Sequence, residues 1–271
     1  METTWNALQH WYQLINYEWA DPRAQPLPLV QRPFTILGLM AGYTLFVTRL
    51  GPWLMRDRRP YELKRTLIVY NALQILANLY IFQGFCQFWF TTYNWQCEPI
   101  DWSNSAGALE MLRLVNLYFW LKIADLLDTV FFVLRKKKKQ ITFLHVYHHS
   151  MMVLLSWVAI KFFPGGHATF LALINTLVHA IMYAYYLISA VYPHTIWWKK
   201  HVTQVQLFQH FIVGLHEAQL LVYRPCDYPL FPPVMLVPQA VLIIVLFLRF
   251  YRRAYGNAPA QAVANHKAKA S

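Results

Sequence analysis

The chain has 271 residues, of which 57% are hydrophobic, 17% aromatic and only 13% charged. Soluble domains carry about a quarter charged residues, so this composition excludes an ordinary soluble domain and is typical of a membrane protein. The net charge of +12 is compatible with nucleic acid, an anionic membrane surface or an anionic substrate as partner. The placement of the basic residues decides between these.

Seven apolar segments approach the roughly 20 residues that cross a bilayer as a helix. They are residues 34–54, 66–90, 111–134, 141–162, 168–190, 204–223 and 232–252. We therefore expect an all-α polytopic membrane protein with seven transmembrane helices in one domain, residues 1–271. Residues 1–30 are polar and rich in Trp. They lack a basic start followed by an apolar core, so we expect no cleavable signal peptide.

Basic residues in the short loops predict the orientation, because such residues stay on the cytoplasmic side. They follow the first, third, fifth and seventh segments: Arg56, Arg58, Arg59, Lys64 and Arg65; Arg135 and Lys136 to Lys139; Lys199 and Lys200; Arg252 and Arg253. The intervening loops, 91–110, 163–167 and 223–231, hold Arg224 as their one basic residue outside the spans. This places residues 1–30 outside the cytosol and residues 254–271 in it. No charge pattern points to nucleic acid.

The three cysteines fit this topology. Cys86 lies in an apolar segment, whereas Cys97 and Cys226 fall in two loops on the non-cytoplasmic side. An odd count fits one bridge plus one buried thiol where those loops face an oxidising lumen. We therefore expect a disulfide between Cys97 and Cys226.

The C-terminal residues contain a short motif that bears on the location of the protein. Lys267 and Lys269 stand fifth and third from the end, and a cytosolic Lys-x-Lys-x-x ending resembles a retrieval signal of the endoplasmic reticulum. The alternative is an ordinary solvated tail. We expect the endoplasmic reticulum membrane as the location.

The third segment carries a polar stripe. Lys122, Asp125, Asp128 and Thr129 lie at i, i+3, i+6 and i+7, which is one side of a helix. A charge at mid-bilayer costs about 2.5 kcal/mol or more, so these side chains must face other helices and pair. The alternative to a functional role is a Lys122–Asp125 pair that only fixes helix packing.

Three histidines form the most informative cluster. His145, His148 and His149 lie at i, i+3 and i+4 of the fourth segment, on one helix face. Single buried histidines are usually structural, but three on one apolar face favour a functional site. The fifth and sixth segments add polar faces formed by Asn175, His179, Met182, Tyr183 and Tyr186, and by Thr203, Gln206, Gln209 and His210.

The histidines lie close to a basic loop. His148 is about seven residues, or roughly 10 Å, from the cytosolic start of its segment. Arg135, Lys136 to Lys139, Lys199 and Lys200 surround that end, and they suit phosphates by charge and donor geometry. The alternative is the ordinary enrichment of cytoplasmic loops in basic residues. A phosphate-bearing head group would fit the basic loop and an apolar chain would fit the helix bundle, and acyl-coenzyme A has that shape.

These motifs resemble the very-long-chain fatty acid elongases, the 3-ketoacyl-CoA synthases of the endoplasmic reticulum. The most specific matches are Lys-x-x-Glu-x-x-Asp-Thr at 122–129, His-x-x-His-His at 145–149, Asn-x-x-x-His-x-x-Met-Tyr at 175–183 and Thr-x-x-Gln-x-x-Gln at 203–209. The similarity covers nearly the whole chain. One position departs from the family pattern, since Asp125 stands where the family usually has Glu, which leaves its partner open.

The resemblance implies a fold and a reaction. Helices two to seven would form a closed bundle around an acyl tunnel, with helix one peripheral. The reaction would condense a long-chain acyl-CoA with malonyl-CoA to 3-ketoacyl-CoA, CoA and CO2 by a ping-pong route through an acyl-histidine, without metal or further cofactor.

The resemblance also implies residue roles. His148 would be the nucleophile, with His179 facing it, His145 and His149 supporting it, Asn175 stabilising the enolate and Asp128 orienting a histidine. The substrate path would be formed by Lys122, Arg135, Lys137, Gln140, Tyr186, Lys199, Thr203 and Gln206.

Two other classes compete with this interpretation. A di-iron desaturase or hydroxylase also uses histidine boxes, but it needs roughly eight ligands in several boxes, and the other histidines here are scattered singly. A receptor or transporter is the second, and transporters tend to carry inverted repeats or interrupted helices, which the sequence lacks. Chain-length preference, a homodimer, and contacts with other elongation-cycle enzymes are left open by the sequence.

Overall fold

The computed structural model describes residues 2–192, 198–223 and 226–255, and these ranges are helical, without a β-strand. The predicted tail beyond Tyr255, including Lys267 and Lys269, lies outside the described residues. The expectation of an all-α membrane protein is therefore confirmed at the level of class.

The chain begins with α1 (Glu2–Gln13), which continues into a π-helical segment, Leu14–Glu18. The first predicted span is α2 (Pro33–Leu45), the π-helical segment Phe46–Leu50 and α3 (Gly51–Leu54). Pro33 occupies the first turn of α2, where its missing N–H costs no hydrogen bond. Six long helices follow: α4 (Lys64–Thr91), α5 (Ala106–Leu134), α6 (Phe143–Phe162), α7 (Thr169–Val191), α8 (Lys199–Val222) and α9 (Phe231–Tyr255).

Two helices begin more than a full turn earlier than predicted. The segment predicted at 111–134 starts at Ala106, because the Ser105 hydroxyl accepts a hydrogen bond from the Ala108 N–H and caps the helix. The segment predicted at 204–223 starts at Lys199. The extra turn of α8 is polar, and that of α5 consists mostly of small residues, so neither is recognised from hydrophobicity.

Five of the described stretches are long and apolar enough to cross a membrane: Pro33–Leu54, Lys64–Thr91, Phe143–Phe162, Thr169–Val191 and Phe231–Tyr255. The helices α5 and α8 have sufficient length but carry more polar side chains. In α5 these include Lys122, Asp125 and Asp128, which are all buried within the protein. These three charges of α5 are therefore shielded by neighbouring helices rather than exposed on the surface.

The six long helices contact one another in a cyclic order. α4 packs on α7, α7 on α8, α8 on α9, α9 on α6, α6 on α5, and α5 on α4. The first span lies against this group, with α2 contacting α6 and α3 contacting α5. The apolar core is largest between α4, α5, α6 and α7, where Phe85, Trp89, Phe119, Ile160 and Leu173 are fully buried.

Residues 135–140 between α5 and α6 form a basic loop, here called the lysine loop. At the opposite end of the molecule two loops are joined covalently. Cys97 and Cys226 form a disulfide, as predicted, and Cys86 is a free, half-buried cysteine. The turn between α6 and α7 contains Gly166 at a φ of +66°, and a Cβ there would lie 2.8 Å from the carbonyl oxygen of Glu98. This turn therefore packs directly on the loop that carries Cys97.

The N-terminal segment is tied to the same end of the protein. Lys161 of α6 is buried, and its Nζ donates to Asn16 Oδ1, Val30 O and Gln31 O at 2.8 to 3.3 Å. The indole N–H of Trp157 donates to Leu29 O at 3.0 Å. Residues 16–31, predicted only as a polar segment, thus pack on the end of α6.

Candidate functional site

A buried ion pair on α5 forms the centre of the site. Lys122 Nζ lies 2.7 Å from Asp125 Oδ2, and these side chains are 1% and 3% exposed. Spacing i, i+3 places both on one helix face, so the predicted polar stripe and its pairing are confirmed. Nδ1 of His179 lies 3.4 Å from both Lys122 Nζ and Asp125 Oδ2. The predicted histidine on α7 is therefore held against the pair.

Asn175, one turn from His179 on α7, has a defined amide orientation. Its Oδ1 accepts hydrogen bonds from Lys122 Nζ at 3.0 Å and from the Tyr118 hydroxyl at 2.9 Å. An ammonium only donates, so the oxygen must face Lys122 and the amide nitrogen faces away. Asn175 Nδ2 is buried without a partner in the described part of the chain. It is an unused N–H donor inside the site.

The two carboxylates on α5 share the Tyr183 hydroxyl but differ in their other partners. Asp125 Oδ1 accepts from Gln74 Nε2 at 3.1 Å and from the Tyr183 hydroxyl at 3.0 Å, while Asp128 Oδ2 accepts from the same hydroxyl at 2.9 Å. The resemblance implied that Asp128 orients a histidine. In the structure the carboxylate beside His179 is that of Asp125, and Asp128 contacts Tyr183 instead. The partner of Asp125, which the sequence left open, is thus Lys122 together with His179.

The three histidines of α6 share one face, as predicted, but differ in surroundings. The His145 Nε2 lies 2.9 Å from Thr129 Oγ1 of α5. The ring centroids of His145 and His149 are 4.3 Å apart, and those of His149 and His148 are 5.8 Å apart. His148 Nε2 is buried with no hydrogen-bond partner among the described residues.

His148 faces a cavity between α6, α7, α8 and α9. The cavity measures about 40 Å³, and its lining includes His148, Leu155, Leu171, Gln209, His210 and Ile243. The ring centroid of His210 lies 5.7 Å from that of His148. Apart from the histidines and two glutamines the lining is apolar. A histidine that lines an apolar cavity, with a ring nitrogen unpartnered within the described part of the chain, suits contact with an apolar ligand that carries a reactive carbonyl.

The predicted substrate-path residues divide into two groups. Lys122 and Thr203 are buried, whereas Lys137, Gln140 and Lys199 are exposed and Arg135 is half-buried. Gln206 Nε2 contacts Met182 Sδ at 3.1 Å, and Tyr186 packs its ring on Tyr183 with centroids 6.0 Å apart. The exposed basic residues therefore lie at the end of the bundle where α5 ends and α8 begins, remote from the disulfide.

Several residues of the site were not predicted. Gln74 and Tyr118 hold Asp125 and Asn175, and Tyr43 contacts Thr129 at 2.7 Å. His210, which the sequence placed on a polar face without a role, packs its ring near that of His148. One signal was available for α4, since Asn71, Gln74 and Asn78 are polar residues at helical spacing in an apolar segment and all three are buried. Within the described ranges, no three His, Cys, Asp or Glu side chains are grouped so as to hold a metal ion.

Comparison with known proteins identifies relatives that span most of the chain. The ELO family, described as the GNS1/SUR4 family, matches residues 28–263. Very long chain fatty acid elongase 1 of Mus musculus is 41% identical over 242 residues, covering 87% of this chain and 86% of the relative. Elongase 7 of Drosophila melanogaster is 39% identical over 90% of this chain and 75% of its own length. Elongase 4 of Homo sapiens is 39% identical, with 92% and 81% covered.

Proposed function

Since the chain belongs to the ELO family of very long chain fatty acid elongases, we propose that it condenses a long-chain acyl-CoA with malonyl-CoA through an acyl-histidine on His148. The products are a 3-ketoacyl-CoA two carbons longer, CoA and CO2. The observation that carries this proposal is His148, which lines the cavity and whose Nε2 is buried without a hydrogen-bond partner among the described residues. Neutral imidazole nitrogens attack thioesters, and a closed site protects the acyl-imidazole from water.

In the first half-reaction, His148 Nε2 attacks the thioester carbonyl carbon of acyl-CoA. The carbon–sulfur bond breaks, and the leaving thiolate takes up the proton that the imidazole loses. The product is a neutral acyl-imidazole, and CoA departs through the mouth at the lysine loop. The apolar lining of the cavity beside His148 suits the acyl carbons next to the thioester.

In the second half-reaction, malonyl-CoA loses CO2 and leaves the enolate of acetyl-CoA. The α-carbon of the enolate attacks the acyl carbonyl, the new carbon–carbon bond forms, the bond to His148 breaks, and the departing imidazole takes up one proton from solvent. Asn175 Nδ2 is a buried N–H donor that has no partner among the residues the structure describes, so it supplies a preorganised hydrogen bond to the developing oxyanion. Loss of CO2 makes the step effectively irreversible.

The ion pair positions these groups. Lys122 fixes the amide of Asn175 and pairs with Asp125, and both lie 3.4 Å from His179 Nδ1. When Nδ1 of His179 donates to Asp125, its Nε2 is unprotonated and can accept a hydrogen bond in the second half-reaction. His145 and His149 support the nucleophile from its own helix. We assign Asp128 to holding Tyr183 rather than to a histidine.

The membrane arrangement of this proposal has seven spans. The polar helices α5 and α8 complete the five apolar candidates, and the cyclic contacts of α4 to α9 support a bundle around the acyl chain, with the first span outside. Arg135, Lys137, Gln140 and Lys199 meet the phosphates of CoA at the cytosolic mouth, and Thr203, Gln206 and Tyr186 lie along the path inward. The endoplasmic reticulum is the membrane proposed, with the disulfide in its lumen.

The activity is tested with purified protein in lipid vesicles, given a saturated long-chain acyl-CoA and [14C]malonyl-CoA. We expect a labelled 3-ketoacyl-CoA with two added carbons and one CO2 per product. His148→Ala abolishes the product, whereas His10→Ala, which changes an exposed histidine of α1, retains wild-type turnover. Wild-type protein that yields no elongated product, or full turnover by His148→Ala, contradicts the proposal.

The orientation needs its own test. Glycosylation acceptor sites are introduced singly into the loops 92–105 and 55–63 and the protein is made in microsomes. Modification of the first loop and protection of the second agrees with the proposed topology. The reverse pattern overturns it.

A further inference from the structure

The first span lies outside the cyclic arrangement of α4 to α9, yet one of its side chains reaches the histidine face. Tyr43 of α2 is only 8% exposed, and its hydroxyl oxygen lies 2.7 Å from Thr129 Oγ1 of α5. Thr129 is fully buried, and its Oγ1 lies 2.9 Å from His145 Nε2 of α6. Three helices are thus joined by two short hydrogen bonds that end on an imidazole.

The direction of the first hydrogen bond follows from the acceptors available. Within the described residues Thr129 is the hydrogen-bond partner of the Tyr43 hydroxyl, so a buried phenol proton that did not point to Thr129 would have no acceptor. Tyr43 therefore donates to Thr129. The Thr129 hydroxyl donates to His145 Nε2 or accepts from it according to the tautomer of the ring, and in either direction the bond fixes the orientation of the His145 ring.

The orientation of His145 bears on the nucleophile through its neighbours. The His145 ring packs against His149 at 4.3 Å between centroids, and His149 lies 5.8 Å from His148. Rotation of His145 therefore moves His149 and changes the space available to the His148 ring. The orientation of an imidazole is normally fixed by the hydrogen bonds that its ring nitrogens make. For His145 that bond is to Thr129, which is itself bonded to Tyr43 outside the bundle.

We propose that Tyr43 is a positioning residue, which acts through Thr129 to hold His145 and thereby keeps His148 in its reactive orientation. This inference rests on the proposed acyl-histidine reaction. It assigns the peripheral span a function beyond anchoring: α2 completes the active site. The hydroxyl, rather than the bulk of the tyrosine ring, carries this role.

The test measures the rate of acyl-enzyme formation in a single turnover with acyl-CoA alone, and kcat and KM in the steady state. Tyr43→Phe and Thr129→Val keep the side-chain shapes and remove the hydroxyls. We expect each to slow acylation about tenfold, the effect of losing one hydrogen bond, while the acyl-CoA concentration that half-saturates the single-turnover rate stays unchanged. Thr129→Ser restores the hydroxyl and the rate, and Thr48→Val, on the exposed side of the first span, leaves the rate unchanged.

The double variant Tyr43→Phe with Thr129→Val distinguishes one series of bonds from two independent packing defects. A single series predicts that the double variant is no slower than the slower single variant. Wild-type acylation rates in both single variants, additive losses, or equal losses in Thr129→Ser and Thr129→Val overturn the proposal. If the wild-type protein itself forms no acyl-enzyme, the proposed function fails and the positioning role fails with it.

Discussion

Replacement of Lys122 by methionine tests the buried ion pair on α5. The side chains are nearly isosteric in their stems, so the main change is loss of the ammonium that lies 2.7 Å from Asp125. Asp125 keeps the hydrogen bonds from Gln74 and Tyr183 but becomes a buried carboxylate without a cation. Removing one partner of a buried pair costs about 3–5 kcal/mol. In a protein of this size that corresponds to a fall of about 10 °C in the unfolding midpoint.

The assay is thermal unfolding in one detergent at a fixed scan rate, followed by intrinsic tryptophan fluorescence. Lys138→Met, at an exposed site in the lysine loop, is the matched control and should melt like wild type. The double variant Lys122→Met with Asp125→Asn removes both charges and should recover at least half of the loss. If Lys122→Met melts like the control, or if the double variant is less stable than Lys122→Met, the pair is not the stabilising centre described.

Three further substitutions test other parts of the structure. Cys97→Ser should lower the unfolding midpoint and remove its sensitivity to reductant, because the bond to Cys226 is lost; a midpoint equal to that of oxidised wild type contradicts this. Glu217 is fully buried and both carboxylate oxygens lack partners among the described residues, so Glu217→Leu should raise stability by about 1–3 kcal/mol, and a lower midpoint refutes that reasoning. Lys161→Met should release residues 16–31 from α6, which limited proteolysis detects as faster cleavage there; unchanged cleavage would show that the bonds to Asn16 and residues 30 and 31 are dispensable.

The sequence predicts the helices well because the bilayer thickness imposes their length. All seven apolar segments correspond to described helical stretches, and the disulfide follows from topology once Cys97 and Cys226 are placed on the same side. The Lys122–Asp125 pair is equally predictable, since residues three apart on one helix meet without any knowledge of the fold.

Contacts between helices are less accessible to sequence reasoning. Which carboxylate meets His179 depends on how α5 and α7 are rotated, so the choice between Asp125 and Asp128 required the structure. Tyr43 is a single tyrosine in an apolar segment. No polar residue stands three or four positions from it, so no polar helix face identifies it as a site residue. Lys161 binds two backbone carbonyls, and backbone acceptors leave no trace in the sequence.

The central claim is that His148 carries the acyl group. The direct measurement is mass spectrometry of the intact protein and its peptides after incubation with acyl-CoA alone. The account predicts one acyl group per chain on the peptide that contains His148, its removal on addition of malonyl-CoA with formation of the 3-ketoacyl-CoA, and no adduct in His148→Ala. An adduct on another residue that malonyl-CoA discharges, or turnover without any covalent adduct, would contradict the account.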